Sequence, residues 1–301
     1  MTNETILVTG ATGQVGRRLV PKLLNWREPG DAIRVLVRTP EAAERFTALG
    51  AQAVVGDVTE AADRKRALDG AALVVNSAAT FRGQGVTPAD MYAVNRDAAV
   101  ALAREGAQAG VRRFVQVSTG HVYGPSVGRP AREDDELRAT DSGKAELGGA
   151  YPASKREAEE QLRELSAQVG LDIVTLRLTF VYGEGDPHID DILPRFGLGN
   201  RAAHELQGMV HHADVAQGVH RALRAPRTGA SYTAYNIAGD GGSTMFELFE
   251  LVGQRFDLEA AAGRTVQDPW FGITDTTRAY RELGFRPIYP SAKAAWRDGA
   301  L

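Results

Sequence analysis

Short aliphatic and β-branched runs alternate with longer amphipathic stretches through the first half of the chain. Ile6 to Thr9 reads as a buried strand, and Val15, Leu19, Val20, Leu23 and Leu24 then recur at helical spacing. The pattern returns as a strand Ile33 to Val37 with a helix Pro40 to Leu49, then strands Gln52 to Val55 and Leu73 to Asn76 around a helix Ala61 to Leu68. One long Ala-rich helix, Pro88 to Ala109, leads to the strand Phe114 to Ser118. A further helix, Tyr151 to Val169, stops at Gly170 before the strand Ile173 to Leu176. Such alternation predicts an α/β fold with a doubly wound parallel sheet and helices on both faces. Beyond Thr179 the regularity weakens. Short helices around 190–196, 214–223, 244–256 and 276–283 predict a smaller C-terminal α/β region over 179–301. A segment near 211–239 is expected to return to the first unit, 1–178.

Composition narrows the chemistry. The 301 residues carry 35 basic and 38 acidic side chains, a net charge of −3, which gives no field for gripping a polyanion, so nucleic acid is not an expected partner. With no cysteine, disulfides, thiolate nucleophiles and thiolate metal sites are excluded together. The six histidines, His121, His188, His204, His211, His212 and His220, lack the carboxylate-rich spacing of a metal site, and none is expected. No apolar run approaches the ~18 residues of a membrane span, and Met1 to Thr5 has no cationic leader; a cytoplasmic protein with no membrane partner is the simplest expectation.

The strongest local signal is Gly10-Ala11-Thr12-Gly13-Gln14-Val15-Gly16, between a predicted strand and a predicted helix. Glycines there serve a tight turn, close approach of backbone to a pyrophosphate and close helix packing, with the helix N-terminus facing the anion. A Rossmann-type dinucleotide site also needs a group at the end of its second strand to settle the ribose 2′ position. Here Arg38 stands 22 residues after Gly16, and no acid does. A guanidinium pairs with a 2′-phosphate that a carboxylate would repel, so NADP(H) is expected over NAD(H); a solvated surface arginine is the alternative. Tyr151 and Lys155, at i and i+4, share a helix face. An ammonium beside a phenol favours the phenolate, which predicts a lowered Tyr151 pKa and an acid/base role. The preceding strand ends in Ser118-Thr119-Gly120-His121, which points the Thr119 hydroxyl into the same crevice.

These motifs occur in order with Gly56-Asp57-Val58, Asn76-Ser77-Ala78-Ala79, Val122-Tyr123-Gly124, Arg177 before Val181-Tyr182-Gly183, His211 with Asp214-Val215-Ala216, and Tyr235-Asn236-Ile237. In this the chain resembles the extended short-chain dehydrogenase/reductases of the NAD(P)-dependent epimerase/dehydratase family, nearly end to end. The resemblance implies Tyr151 as proton donor or acceptor, Lys155 as its partner and a ligand of the nicotinamide ribose, and Thr119 on the reacting oxygen. It implies a cofactor bed of Gly10, Thr12, Gly13, Gln14, Val15, Gly16, Arg38, Asp57, Val58, Ala78 and Ala79 with Tyr151 and Lys155. Ser118 is read as structural, and Asn95 as a kinking, packing or relay residue. A homodimer through helices 88–109 and 151–169 is implied by the resemblance alone.

Departures from the family pattern narrow the reaction. The acidic pair that follows the threonine in sugar-nucleotide dehydratases is replaced by Gly120 and His121, which disfavours dehydration. Of two arginines that grip the diphosphate in many epimerases, one position holds Gln207 and the other keeps Arg264. Arg264 and His121 are therefore the candidate substrate contacts. The expected activity is an NADPH-dependent ketoreductase; a nucleotide-sugar epimerase with retained cofactor and a non-catalytic NADP-binding sensor are the alternatives. The acidic run Glu133 to Glu136 is expected as a solvated loop, with a mobile lid as the other reading. Trp270 and Phe271 either wall the substrate pocket or pack the C-terminal region.

Overall fold

The computed structural model of the chain describes residues 3–81, 85–141, 149–187, 189, 201–226 and 231–301. Seven parallel strands form the central sheet: β1 (Thr5–Thr9), β2 (Ala32–Val37), β3 (Gln52–Val55), β4 (Leu73–Asn76), β5 (Arg113–Thr119), β6 (Asp172–Leu178) and, from much later in the chain, β10 (Tyr232–Ile237). Their spatial order is β10-β6-β5-β4-β1-β2-β3. The chain winds outward from β1 to β3 and then restarts on the other side of β1 with β4, so the carboxyl ends of β1 and β4 diverge into a crevice.

Alternation along the strands explains why helices cover both faces. Ile6 and Val8 join Leu19, Leu23, Ile33 and Val35 in one apolar layer, while Leu7 joins Leu68, Leu102, Phe114, Leu162 and Ile173 in the other. The helices supplying these layers are α1 (Gly16–Trp26), α2 (Pro40–Ala48), α3 (Ala61–Leu68), α5 (Ala99–Gln108), α6 (Ala150–Val169) and the helix His212–Arg224, while α4 (Pro88–Tyr92) buries no residue. Thr39 caps α2 by accepting from the Ala42 N–H, and Pro40 opens it, a residue that gives up only an N–H no helix start can use.

The helix expected as one piece over 88–109 is interrupted. Ala93–Ala98 winds as a π turn between α4 and α5, which inserts a slip into the helical register with Asn95 at its middle. The expected helix at 190–196 and His188 lie outside the described residues. The one expected over 244–256 ends at Leu251, and two short pieces, Leu258–Ala261 and Ala292–Arg297, were not legible from periodicity. A third apolar cluster, including Tyr182, Met209, Met245, Leu248, Phe249 and Ala295, packs this C-terminal part. The pairings β7 (Phe180–Tyr182) with β9 (Met209–His211) and β8 (Leu206–Gln207) with β11 (Ser243–Thr244) stitch it together. No described helix is long and apolar enough to cross a membrane.

Candidate functional site

The cofactor end is shaped by backbone. Gly10 has φ +69°, and a Cβ there would overlap the backbone of Ser77 and Ala78 where β4 ends; a Cβ on Gly16 would overlap the Gly10 carbonyl. Only glycine at both places lets the exits of β1 and β4 touch the first turn of α1. The Gly13 N–H donates to the Gly10 carbonyl (3.0 Å), leaving Thr12 and Gly13 exposed at the loop tip. Helix α1 starts at Gly16, after Val15, with no side-chain cap and no acid in its first turn, so its N-terminal N–H groups suit an anion. Gln14 is turned aside, its Oε1 accepting from Arg18 (2.9 Å).

The other expected cofactor contacts line the same crevice edge. Arg38 is the first residue past β2, exposed, with no ion pair or hydrogen bond among the described residues. Asp57 Oδ1 accepts from the Thr59 N–H (2.9 Å) and hydroxyl (2.8 Å), and the Val58 carbonyl accepts from Arg64 (2.9 Å), fixing the turn after β3. Ala78 is buried and Ala79 exposed just beyond β4.

Helix α6 brings Tyr151 and Lys155 to the end of β5. Lys155 is buried, its Nζ donating to the Val117 carbonyl (2.8 Å), and burial pulls its pKa down to about 8 against the opposing charge of Glu159. Burial pushes the Tyr151 phenol up to about 12. This reverses the expected lowering: desolvation dominates at the phenol, and the ammonium proton is directed to a backbone carbonyl. The Tyr151 ring meets the Phe81 ring edge-on at 4.6 Å. Thr119 ends β5 with its hydroxyl accepting from the His121 N–H (3.3 Å) and 3.4 Å from His121 Nδ1. Ser118, read as structural, donates to Glu159 (2.5 Å).

Asn95 works as a staple. Its amide accepts from the Thr80 N–H (2.8 Å), and donates to the Thr80 carbonyl (2.9 Å) and to Ser154 Oγ (3.1 Å), while Ser154 donates to the Tyr151 carbonyl (2.8 Å). The loop after β4 and the first turn of α6 are thereby held together through the π turn.

Beneath this end lies a buried polar network that motif reading did not assemble. Arg177 donates to Glu159 through Nε (3.0 Å) and Nη2 (2.8 Å), and to the Tyr123 hydroxyl (2.7 Å). Tyr123 donates to Asn236 Oδ1 (2.8 Å), and the Asn236 N–H donates to Glu133 (2.9 Å). The available signal was spacing: Tyr151, Lys155 and Glu159 step by four along one helix face. The acidic run is solvated only in part: Asp134, which pairs with Arg278, and Glu136 are exposed, whereas Glu133 is buried and Asp135 pairs with Arg129 (2.7 Å). Burial raises the Glu133 pKa, opposed by the Asn236 N–H.

The histidine motif is also structural. The Ala213 N–H donates to His211 Nδ1 (3.1 Å) and His211 Nε2 donates to the Ala300 carbonyl (2.8 Å), which defines a neutral ring. His212 pairs with Asp186 (2.7 Å). Asp214 accepts from the Ile288 and Tyr289 N–H groups, yet burial raises its pKa to about 6. No group of three or more potential metal ligands occurs among the described residues.

The substrate-side candidates divide between two places. His121 stacks on Phe271 (5.6 Å, 26°) beside Thr119. Arg264 donates to the Arg201 carbonyl (3.2 Å), and the Arg201 guanidinium bonds Gln207 (2.8 Å) and Glu205 (2.7 Å), so the position lacking an arginine has one lying across it. Trp270 joins Gly120, Tyr123 and Ile273 around a residual space of about 10 Å³, no more than one water needs.

A model of the NAD dependent epimerase/dehydratase family matches residues 6–238. A Stigmatella aurantiaca protein, 4-hydroxy-2-methyl-3-oxo-4-farnesyl-3,4-dihydroquinoline-1-oxide ketoreductase, is 30% identical over 95% of this chain and 82% of its own length. Among solved structures, the dTDP-glucose 4,6-dehydratase of Streptomyces venezuelae with NAD bound superposes with a TM-score of 0.75 at 24% identity, covering 97% of this chain and 95% of that one. A short-chain dehydrogenase/reductase superfamily protein of Agrobacterium tumefaciens with bound NAD gives 0.74 at 22% identity over 98% of both chains.

Proposed function

The chain belongs to the NAD dependent epimerase/dehydratase family, and from that premise we propose that it is an NADPH-dependent ketoreductase. The observation that carries this reading is the placement of Tyr151 and the buried Lys155 on helix α6 at the end of β5, where Thr119 stands, with burial favouring the protonated phenol. A proton donor is what a ketone oxygen needs as it becomes an alkoxide. Bound NADPH supplies the hydride that the carbonyl carbon accepts. The chain does the rest: Tyr151 Oη gives its proton to the oxygen, Thr119 orients that oxygen, and Lys155 holds positive charge beside them. Tyr151 is then reprotonated from solvent.

The Gly10 to Gly16 loop and the uncapped start of α1 would hold the pyrophosphate, with the turns at Asp57-Val58 and Ala78-Ala79 flanking it. Arg38, just past β2 and without a partner among the described residues, supports NADPH over NADH. Residues 1–178 would serve chiefly the cofactor and 179–301 the substrate. The 30% identical ketoreductase supports a ketone substrate, and Gly120-His121 after Thr119 supports reduction over dehydration.

Replacing Tyr151 by Phe should lower turnover by about 100-fold or more while NADPH still binds. Unchanged turnover in that variant would sink the reading. Epimerisation is the second reading, favoured by Arg201, whose guanidinium bonds Gln207 and whose carbonyl accepts from Arg264. It would show as stabilisation by UDP or dTDP on top of cofactor, with no net NADPH consumption.

A further inference from the structure

Aromatic rings contact two of the residues that would handle the carbonyl, Tyr151 and Thr119. Phe81, 41% exposed in the loop after β4, meets the Tyr151 ring edge-on at 4.6 Å and 73°. At the end of β5, the His121 ring is 3.4 Å from the Thr119 hydroxyl and stacks on Phe271. Neither surface is loose. Thr80, next to Phe81, is bonded through both backbone polar groups to Asn95. Phe271 sits in a turn latched by Asp268, which accepts from the Ser126 N–H (2.7 Å) and hydroxyl and from the Trp270 N–H (3.2 Å), with about 10 Å³ vacant behind it. A π surface held at fixed position costs little further order when a flat ring packs against it.

Resting on the ketoreductase reading, we infer that the substrate is a planar aromatic ketone, its ring held between Phe81 and the His121–Phe271 stack while its carbonyl meets Tyr151 and Thr119. A sugar ring offers no flat apolar face of that area, and the hydroxyl contacts it needs are scarce here. The backbone N–H of His121 already goes to Thr119, and Arg201 is engaged by Glu205 and Gln207.

The test compares 2-tetralone with 2-decalone, one carbon skeleton with and without the aromatic ring. With NADPH, kcat/KM should favour 2-tetralone by about tenfold, and Phe81→Leu should erase that preference through KM while Phe81→Tyr keeps it. Equal kcat/KM for the two ketones, or an equal loss on both in Phe81→Leu, would overturn the inference. Thermal shift with 2-naphthol in the presence of NADP+ separates the two levels of the argument. If no ketone is reduced but 2-naphthol stabilises the wild type and not Phe81→Leu, the aromatic clamp stands and the reductase reading falls. If ketones are reduced and 2-naphthol stabilises neither protein, the clamp falls and the reductase reading stands. If 2-naphthol stabilises neither protein and no ketone is reduced, both fall.

Discussion

The two walls of the crevice are built on different principles. The wall proposed for the cofactor is made of backbone: Gly10, Gly13 and Gly16 bring strand exits and a helix start into contact, and few side chains take part. The wall proposed for the substrate is made of side chains drawn from distant segments, with His121 against Phe271, Asp268 against Ser126, and Arg201 across Gln207. A backbone wall depends on the absence of atoms at a few positions and serves any member of a family sharing its ligand. A side-chain wall can be rewritten by single substitutions, so it is where members of such a family differ.

Predictions follow that contrast in order of effect. Glu159→Ala strips the buried Arg177 of its partner beneath both walls and should cost about 3–5 kcal/mol of stability in denaturant titration, with Ser118 and Tyr232 also losing an acceptor. Gly10→Val should cost about 3 kcal/mol through its positive φ and its overlap with Ser77, and cofactor titration should show binding lost as well. An equally large change on the substrate wall, Phe271→Val, should leave cofactor affinity intact; a matching loss there would erase the distinction between the walls. Arg38→Asp should weaken NADP+ by about 10–100-fold and leave NAD+ within a few-fold, as read by equilibrium titration.

The smallest effect is on pH dependence. Burial lowers the His211 and His212 pKa values below 6.5, so these rings stay neutral in the fold while the unfolded chain takes up protons. Their contribution is complete above about pH 6.5 and declines as pH falls through the lowered values. Asp214 acts oppositely: its folded pKa of about 6 exceeds the ordinary 3.8, so folding gains stability as pH falls across that interval. Asp214→Asn should therefore steepen the acid loss between pH 7 and 5 in thermal melts, by at most about 1.4 kcal/mol per unit.

What the sequence discloses follows the same division. The Gly10 to Gly16 loop and the Tyr151–Lys155 pair are legible because each is local: a strand, a turn and a helix within a few residues, or one face of one helix. The Glu133–Asn236–Tyr123–Arg177 network is not, since its successive partners lie 54 to 113 residues apart and only folding brings them together. Phe81 sits in a loop with no period to mark it. The expected phenol shift failed because spacing places a cation near a hydroxyl but says nothing of burial, which dominates Tyr151. The helix 88–109 was read as continuous because its Ala-rich composition hides a π turn's one-residue slip.

The position of β10 has a consequence for synthesis. A nascent chain that has emerged through Leu178 has every other strand of the sheet in hand, yet the outer edge of β6 stays unpaired until Tyr232–Ile237 arrives. An apolar strand edge bared for that interval is a template for neighbouring chains on the same polysome. The buried network also waits, because Asn236 closes it. Fragments ending before residue 232 should therefore aggregate instead of folding as free-standing domains.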